Sequence, residues 1–234
     1  TGVTEVVPFG VSTDIPLPGR FVGGDTRADL AIFRPSTGQW WIRNSATGSI
    51  SVFFFGSSTD KPFIGDFNGD GIADMAVQKT NGQNWWRNTA NGSCYVWYTV
   101  NGVFTGTDAF LFSLPPEWVI QGVADFNADG KPDFLMRNAV SGNAFAWYFN
   151  NNLPIGDQFL FNVDPSWKVE AVGDINLDGQ PDLLFRSMSS GLSFAWHTQY
   201  TGGVLSLGTS TPMIYSIDPV WEVVQVADWN NDNQ

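Results

Sequence analysis

The chain has 234 residues and a formal charge of −12, from 11 basic and 23 acidic side chains, with one histidine. That balance excludes the clustered lysine and arginine a nucleic-acid groove needs, and a membrane-surface role through basic residues with it. There is no run of about 20 apolar residues, so no segment is suited to crossing a bilayer as a helix. The single cysteine, Cys94, cannot form an internal disulfide and reads as a buried thiol.

In chain order, the predicted elements are short strands separated by turns. TEVVPFG (4–10) reads as one strand, and FGVSTDIPLPGRF at 9–21 returns as FGSSTDKPFIGDF at 55–67, a shift of 46 residues. Between them, LAIFR (30–34) and TGQWWIRN (37–44) read as strands, and the second is echoed by NGQNWWRN at 81–88. In the second half a Trp motif recurs as PPEWVIQGVAD, DPSWKVEAVGD and DPVWEVVQVAD, at Trp118, Trp167 and Trp221. An aromatic strand follows two of these, SGNAFAWYF at 141–149 and SGLSFAWHT at 190–198. No segment has the length and 3.6-residue period of a helix, and the 25 glycines, 19 phenylalanines and 11 tryptophans favour strands and turns.

Within this repeat lies the most informative pattern, Asp-x-Asn-x-Asp-Gly-x-x-Asp. It is complete in DFNGDGIAD (66–74), DFNADGKPD (125–133) and DINLDGQPD (174–182), and DWNNDNQ (228–234) begins a fourth copy. Such a loop gathers hard oxygen donors, which suit calcium. The expected ligands are Asp66, Asn68, Asp70 and Asp74 with the Ile72 carbonyl; Asp125, Asn127, Asp129 and Asp133 with the Lys131 carbonyl; and Asp174, Asn176, Asp178 and Asp182 with the Gln180 carbonyl. Asp228, Asn230 and Asp232 would begin the fourth set. Two such charges about 4 Å apart repel by about 4 kcal/mol at an effective dielectric near 20, so the loops need a cation. Gly71 suits a positive φ. The spacing is not that of an EF-hand, which puts a glutamate at loop position 12 between two helices; here apolar strands follow the loops. A worn copy at 19–34 keeps Asp25 and Asp29 but has Arg20 at the first ligand position, so no strong calcium site is expected there.

The last aspartates fall at 29, 74, 133 and 182, intervals that fit one four-stranded blade per repeat. A lone blade exposes two faces; stacking blades around an axis covers them. The sequence therefore predicts an all-β chain, a β-propeller of four-stranded antiparallel blades, with repeats at 19–64, 65–123, 124–172 and 173–226. Residues 1–18 and 227–234 are expected to be parts of flanking blades, so that the chain would be a piece of a longer propeller, expected at six to eight blades, or would take its missing strands from a partner chain.

These loops with their flanks resemble FG-GAP/VCBS repeats, whose FG element stands in Phe9-Gly10 and Phe55-Gly56. The resemblance implies a calcium-binding propeller in which each Asp-rich loop joins the first two strands of a blade. It further implies a secreted or cell-surface setting and roles as lectins, adhesion modules or accessory domains of polysaccharide-degrading enzymes.

The function expected is a non-catalytic extracellular binding or adhesion module for a glycan or protein. A scaffold subunit of a larger complex, or an accessory domain of a secreted polysaccharide-active enzyme, is the alternative. Three bound calcium ions would bring the charge of −12 to about −6, a mildly acidic surface. Trp40, Trp41, Trp85, Trp86, Trp147 and Trp196 are candidate sugar platforms, with blade packing as the competing role. His197, beside Trp196 on an alternating strand, reads as structural. Asn91-Gly92-Ser93 matches a glycosylation acceptor.

Overall fold

Short aromatic and β-branched segments form strands, some burying alternate residues, as in Gln39–Arg43, and others buried almost throughout, as in Asp133–Asn138 and Asp182–Ser187; glycine or Asx turns reverse the chain between them. The structure, a computed structural model, describes residues 7–23, 27–67, 71–78, 93–100, 103–115, 117–151 and 153–212. Among the described residues are sixteen strands in four antiparallel four-stranded sheets, each a meander of consecutive strands. The first sheet comprises β1 (Ile15–Pro16), β2 (Leu30–Arg34), β3 (Gln39–Arg43) and β4 (Ile50–Phe54). The second comprises β5 (Lys61–Gly65), β6 (Asp74–Gln78), β7 (Ser93–Val100) and β8 (Val103–Ser113). The third runs through β9 (Trp118–Ala124), β10 (Asp133–Asn138), β11 (Asn143–Asn150) and β12 (Leu153–Asn162). The fourth runs through β13 (Trp167–Gly173), β14 (Asp182–Ser187), β15 (Ser193–Thr201) and β16 (Val204–Pro212).

The sheets are propeller blades because the core lies between them. One cluster joins the first and second sheets through Phe21, Phe33, Trp40, Ile42, Met75 and Val77. A second joins the second and third through Phe63, Phe67, Val96, Phe112, Phe134 and Phe149. A third joins the third and fourth through Phe126, Leu135, Ala146, Phe161, Leu183 and Phe185. First strands approach one another, β9 against β13 and β5 against β9. A Cβ placed on Gly122 of β9 would lie 2.4 Å from Val172 Cγ2 of β13, so glycine permits that approach. Arg137 adds a polar tie, donating to the carbonyls of Val163 at 2.6 Å and Asp164 at 3.0 Å, in the turn before the fourth blade, and of Trp167, the first residue of its first strand.

The blades are offset from the sequence repeats. Boundaries at 19–64, 65–123, 124–172 and 173–226 cut at the Asp-rich loop, whereas each sheet begins one strand earlier, because the strand before the loop pairs with the strand after it. Residues 15 and 16, expected in a flanking blade, pair with β2 and belong to the first sheet. The terminal segments 1–6 and 213–234, which include 1–6 and 227–234 of the parts assigned to flanking blades, lie outside the described residues.

Phe134 is fully buried and packs on Phe67, Phe112 and Phe149 at centroid distances of 5.6, 5.3 and 5.1 Å. Phe134→Ala is expected to lower unfolding free energy by about 3–5 kcal/mol in chemical denaturation; a loss below about 1 kcal/mol would show that the blades do not meet there.

Candidate metal centre

The Asp-rich loops join the first and second strands in the second, third and fourth blades, so all three lie at equivalent corners. Two are described in full. In the loop at 125–133, the Asp129 N–H donates to Asp125 Oδ1 at 3.1 Å and to Asn127 Oδ1 at 2.9 Å. The Gly130 N–H donates to Asp125 Oδ2 at 2.7 Å, and the Lys131 N–H to Asp129 Oδ1 at 2.9 Å. The loop at 174–182 repeats this: Asp178 N–H to Asp174 Oδ1 at 3.1 Å and Asn176 Oδ1 at 3.0 Å, Gly179 N–H to Asp174 Oδ2 at 2.9 Å, and Gln180 N–H to Asp178 Oδ1 at 2.8 Å. In the loop at 66–74, the Gly71 N–H donates to Asp66 Oδ2 at 2.7 Å. Asn68 and Asp70 lie outside the described residues, as do Asp228, Asn230 and Asp232.

The turn is tight. Gly71, Gly130 and Gly179 have φ of +80°, +82° and +86°, as the sequence predicts for Gly71. The fourth loop position is also left-handed, at Ala128 (φ +58°) and Leu177 (φ +64°), a conformation that non-glycine residues adopt at a cost. The first two ligand positions are thus drawn around the backbone N–H of the third. Their exposure and all-oxygen chemistry fit a hard cation: Asp129, Asp174, Asn176 and Asp178 are exposed, and Asp125 and Asn127 are half-buried.

The ninth residue is placed differently. Asp133 and Asp182 are fully buried, and each accepts backbone N–H groups from two directions. Asp133 Oδ2 accepts from Phe126 at 3.0 Å and Oδ1 from Phe149 at 2.8 Å. Asp182 Oδ2 accepts from Ile175 at 3.0 Å and Asn176 at 3.2 Å, and Oδ1 accepts from Thr198 at 3.0 Å. Phe149 and Thr198 each follow a register shift in the third strand, where the ladder is locally disrupted. A buried carboxylate at that point supplies the missing acceptor. Asp74 also accepts from the Phe67 N–H at 3.0 Å.

The worn copy keeps this arrangement without the ligand positions. Asp29, 1% exposed, accepts from Phe21 at 3.0 Å, Val22 at 2.9 Å and Ser45 at 2.8 Å. Arg20 occupies the first ligand position there and reaches the Gly71 carbonyl of the neighbouring loop at 3.4 Å. The sequence assigned the ninth aspartate to the ion alone; the structure gives it a contact role tying the loop to the third strand. The signal was present in the sequence, since Asp29 persists where the other ligands have worn away. An apolar residue follows the first loop position in every copy, Phe21, Phe67, Phe126 and Ile175, and the three phenylalanines are buried in the inter-blade clusters.

Burial pushes the Asp133 carboxyl up to about 7; the Phe149 and Phe126 N–H groups pull it back, and the charges of Asp129 and Asp125 add to the rise. Among the described residues, no three His, Cys, Asp or Glu side chains are grouped so as to hold a metal ion. By residue type, the exposed head offers two carboxylates, one amide oxygen and a loop carbonyl, hard oxygen donors of the kind calcium takes.

His197 Nδ1 lies 3.0 Å from Asp182 Oδ2 and Nε2 lies 2.9 Å from Thr211 Oγ1, bracing β15 on β16. Trp196 points the other way, onto Phe161, Phe185 and Phe194, as alternation requires. Trp40 is fully buried and donates to the Phe55 carbonyl at 2.8 Å, so it is core and no sugar platform. Trp147 packs on Phe112, and Trp41 lies under the Arg34 guanidinium at 5.2 Å. Trp85, Trp86, Trp221 and Asn91 lie outside the described residues.

Asp29→Asn, Asp133→Asn and Asp182→Asn each turn an amide toward N–H donors. Each is expected to cost about 1–3 kcal/mol of stability, equally with chelator and with calcium. Asp125→Asn and Asp174→Asn are expected to cost under about 1 kcal/mol in chelator, because their exposed loops can rehydrate. Denaturant titrations of the five variants, each with EDTA and with calcium, separate the two classes.

The sequence signature of the FG-GAP-like repeat matches residues 66–136 and 125–185. No curated protein matches the chain. Among solved structures, the chain is similar to part of the Tc holotoxin pore of Photorhabdus luminescens, at 14% identity and a TM-score of 0.49, over 89% of this chain and 10% of that one. It is also similar to a rhamnogalacturonan lyase of Bacillus licheniformis, at 11% identity and a TM-score of 0.38, over 94% of this chain and 56% of that one. The chain thus spans about a tenth of the first and little more than half of the second. With the repeat signature across half its length and the Asp-rich loops at matching blade corners, the chain belongs to the FG-GAP-like repeat family.

Proposed function

We propose that the chain is a calcium-stabilised, non-catalytic propeller module that works outside the cell, binding a glycan or a protein at a cell surface. The carrying observation is the repeated loop head: a carboxylate and an amide oxygen drawn around the N–H of the next ligand residue, itself a carboxylate, in the same way at 125–129 and 174–178. The residues that would hold the ion are Asp125, Asn127 and Asp129 with the Lys131 carbonyl, Asp174, Asn176 and Asp178 with the Gln180 carbonyl, and Asp66 with the Ile72 carbonyl in the second blade. Asn68 and Asp70 complete that last set by sequence. When bound, calcium supplies the charge that lets these carboxylates stay close. Asp74, Asp133 and Asp182 hold each loop against its blade from behind.

An oxygen-only donor set suits the millimolar calcium found outside cells, and membership of the FG-GAP-like family supports the same compartment. The non-catalytic reading is supported by the placing of the histidine: His197 is engaged at both ring nitrogens within its own sheet. A scaffold role in a larger assembly draws support from β12, an outermost strand on which Leu153, Ile155 and Phe159 are 70%, 57% and 51% exposed.

At calcium ten- to a hundredfold above its dissociation constant, each site is expected to add about 1.4–2.7 kcal/mol. Chelation should then lower the melting temperature by about 10 °C or more, measured by thermal scans with calcium and with EDTA; coincident scans would refute the stabilising role. A glycan array probed with and without EDTA tests the binding role. Calcium-dependent retention of defined sugars supports it, and no retention together with a stable co-purifying polypeptide favours the scaffold.

A further inference from the structure

Two departures from the repeat coincide where the first blade meets the second. In the worn copy Arg20 takes the first loop position, which aspartate holds in the complete loops. In the loop at 66–74 the eighth position is Ala73, where the loops at 125–133 and 174–182 have Pro132 and Pro181. Proline has no backbone N–H to donate. Ala73 has one, and it donates to the Arg20 carbonyl at 2.7 Å. The Arg20 guanidinium reaches the same loop, donating from Nη1 to the Gly71 carbonyl at 3.4 Å. Gly19 permits this approach, since a Cβ there would lie 2.7 Å from Ile64 Cδ1 and 3.4 Å from Ala73 Cβ.

Gly71 is thereby held from two sides, its N–H on Asp66 Oδ2 at 2.7 Å and its carbonyl by Arg20. A fixed positive charge stands beside a loop whose carboxylates repel one another. The other two loops are placed differently. The residues that match Arg20 in the blades before them are Asp66 and Asp125, both acidic. Among the described residues, no lysine or arginine pairs with a carboxylate of the loops at 125–133 and 174–182. The basic residue within the third-blade loop, Lys131, donates its ammonium to Asn150 at the end of β11, and the fourth-blade loop has Gln180 at that position. A cation beside a carboxylate loop has two opposite effects. It steadies the loop while no metal is bound, and it weakens the hold on a divalent ion.

We propose that Arg20 is a built-in cation for the second-blade loop, holding it when calcium is absent and making it the weakest of the three calcium sites. The inference rests on the calcium reading above. The amides of Gly71, Gly130 and Gly179 report each loop separately, because each bonds the first aspartate of its own loop. Following their NMR shifts while calcium is titrated into the full chain gives three midpoints. Gly71 is expected to reach half-saturation at about two- to fivefold higher calcium than the others, the range an exposed charge pair commands. Arg20→Gln should close that gap by moving the Gly71 midpoint alone, and Arg20→Lys, which keeps the charge, should retain most of it. In EDTA, Arg20→Gln should also speed amide exchange at Ala73 by about two- to fivefold, with Phe126 and Ile175 unchanged. Arg20 is exposed, so neither substitution disturbs the core. Equal midpoints in the unmodified chain, a Gly71 midpoint unmoved by Arg20→Gln, or three midpoints moving together would overturn the role of Arg20 and leave the calcium reading standing. No response of any of the three glycines to calcium would sink both.

Discussion

A buried carboxylate that collects backbone N–H groups from two segments is the contact on which the blades depend. Asp133 and Asp182 each join the start of the loop to the third strand of the same sheet, and Asp29 joins it to Ser45, in the turn just past the third strand. Burying an ionised group without partners is costly, and leaving a buried N–H unpaired costs about 1–3 kcal/mol. Placing the two together answers both. In the third and fourth blades the register shift before Phe149 and Thr198 creates the need, and the aspartate meets it.

This contact fixes where the rest of the loop stands. The residue after the first loop position is drawn inward with its N–H on the carboxylate, and as Phe21, Phe67 or Phe126 it fills the space between two blades. The exposed head is then left to project from the corner as a turn with two successive aspects of strain, left-handed residues at Ala128 and Leu177 and crowded carboxylates beside them. A loop with inner and outer parts can lose the outer part without losing the blade. The first blade is that case, with Arg20 where an aspartate would stand and Asp29 still in place.

Much of this was legible in the sequence. Matching apolar segments between glycine and Asx turns gave four-stranded units, and the spacing of the last aspartates gave their number. Register was less legible, because a repeat marks a period without a starting point; the sheet begins with the strand before the loop, so the first blade starts at Ile15. Trp40 shows a second limit. Its neighbour Trp41 has the same composition context, and only the alternation of β3 decides that Trp40 faces the second blade.

The central claim is that the ninth aspartate holds the blade without help from the ion. Amide hydrogen exchange on the calcium-stripped chain tests it directly. The account predicts that the N–H groups of Ser45, Phe149 and Thr198, and of Phe21, Phe126 and Ile175, stay protected to the level of neighbouring strand amides. Exchange of these six at the rate of exposed loops, while the flanking strands remain protected, would contradict it.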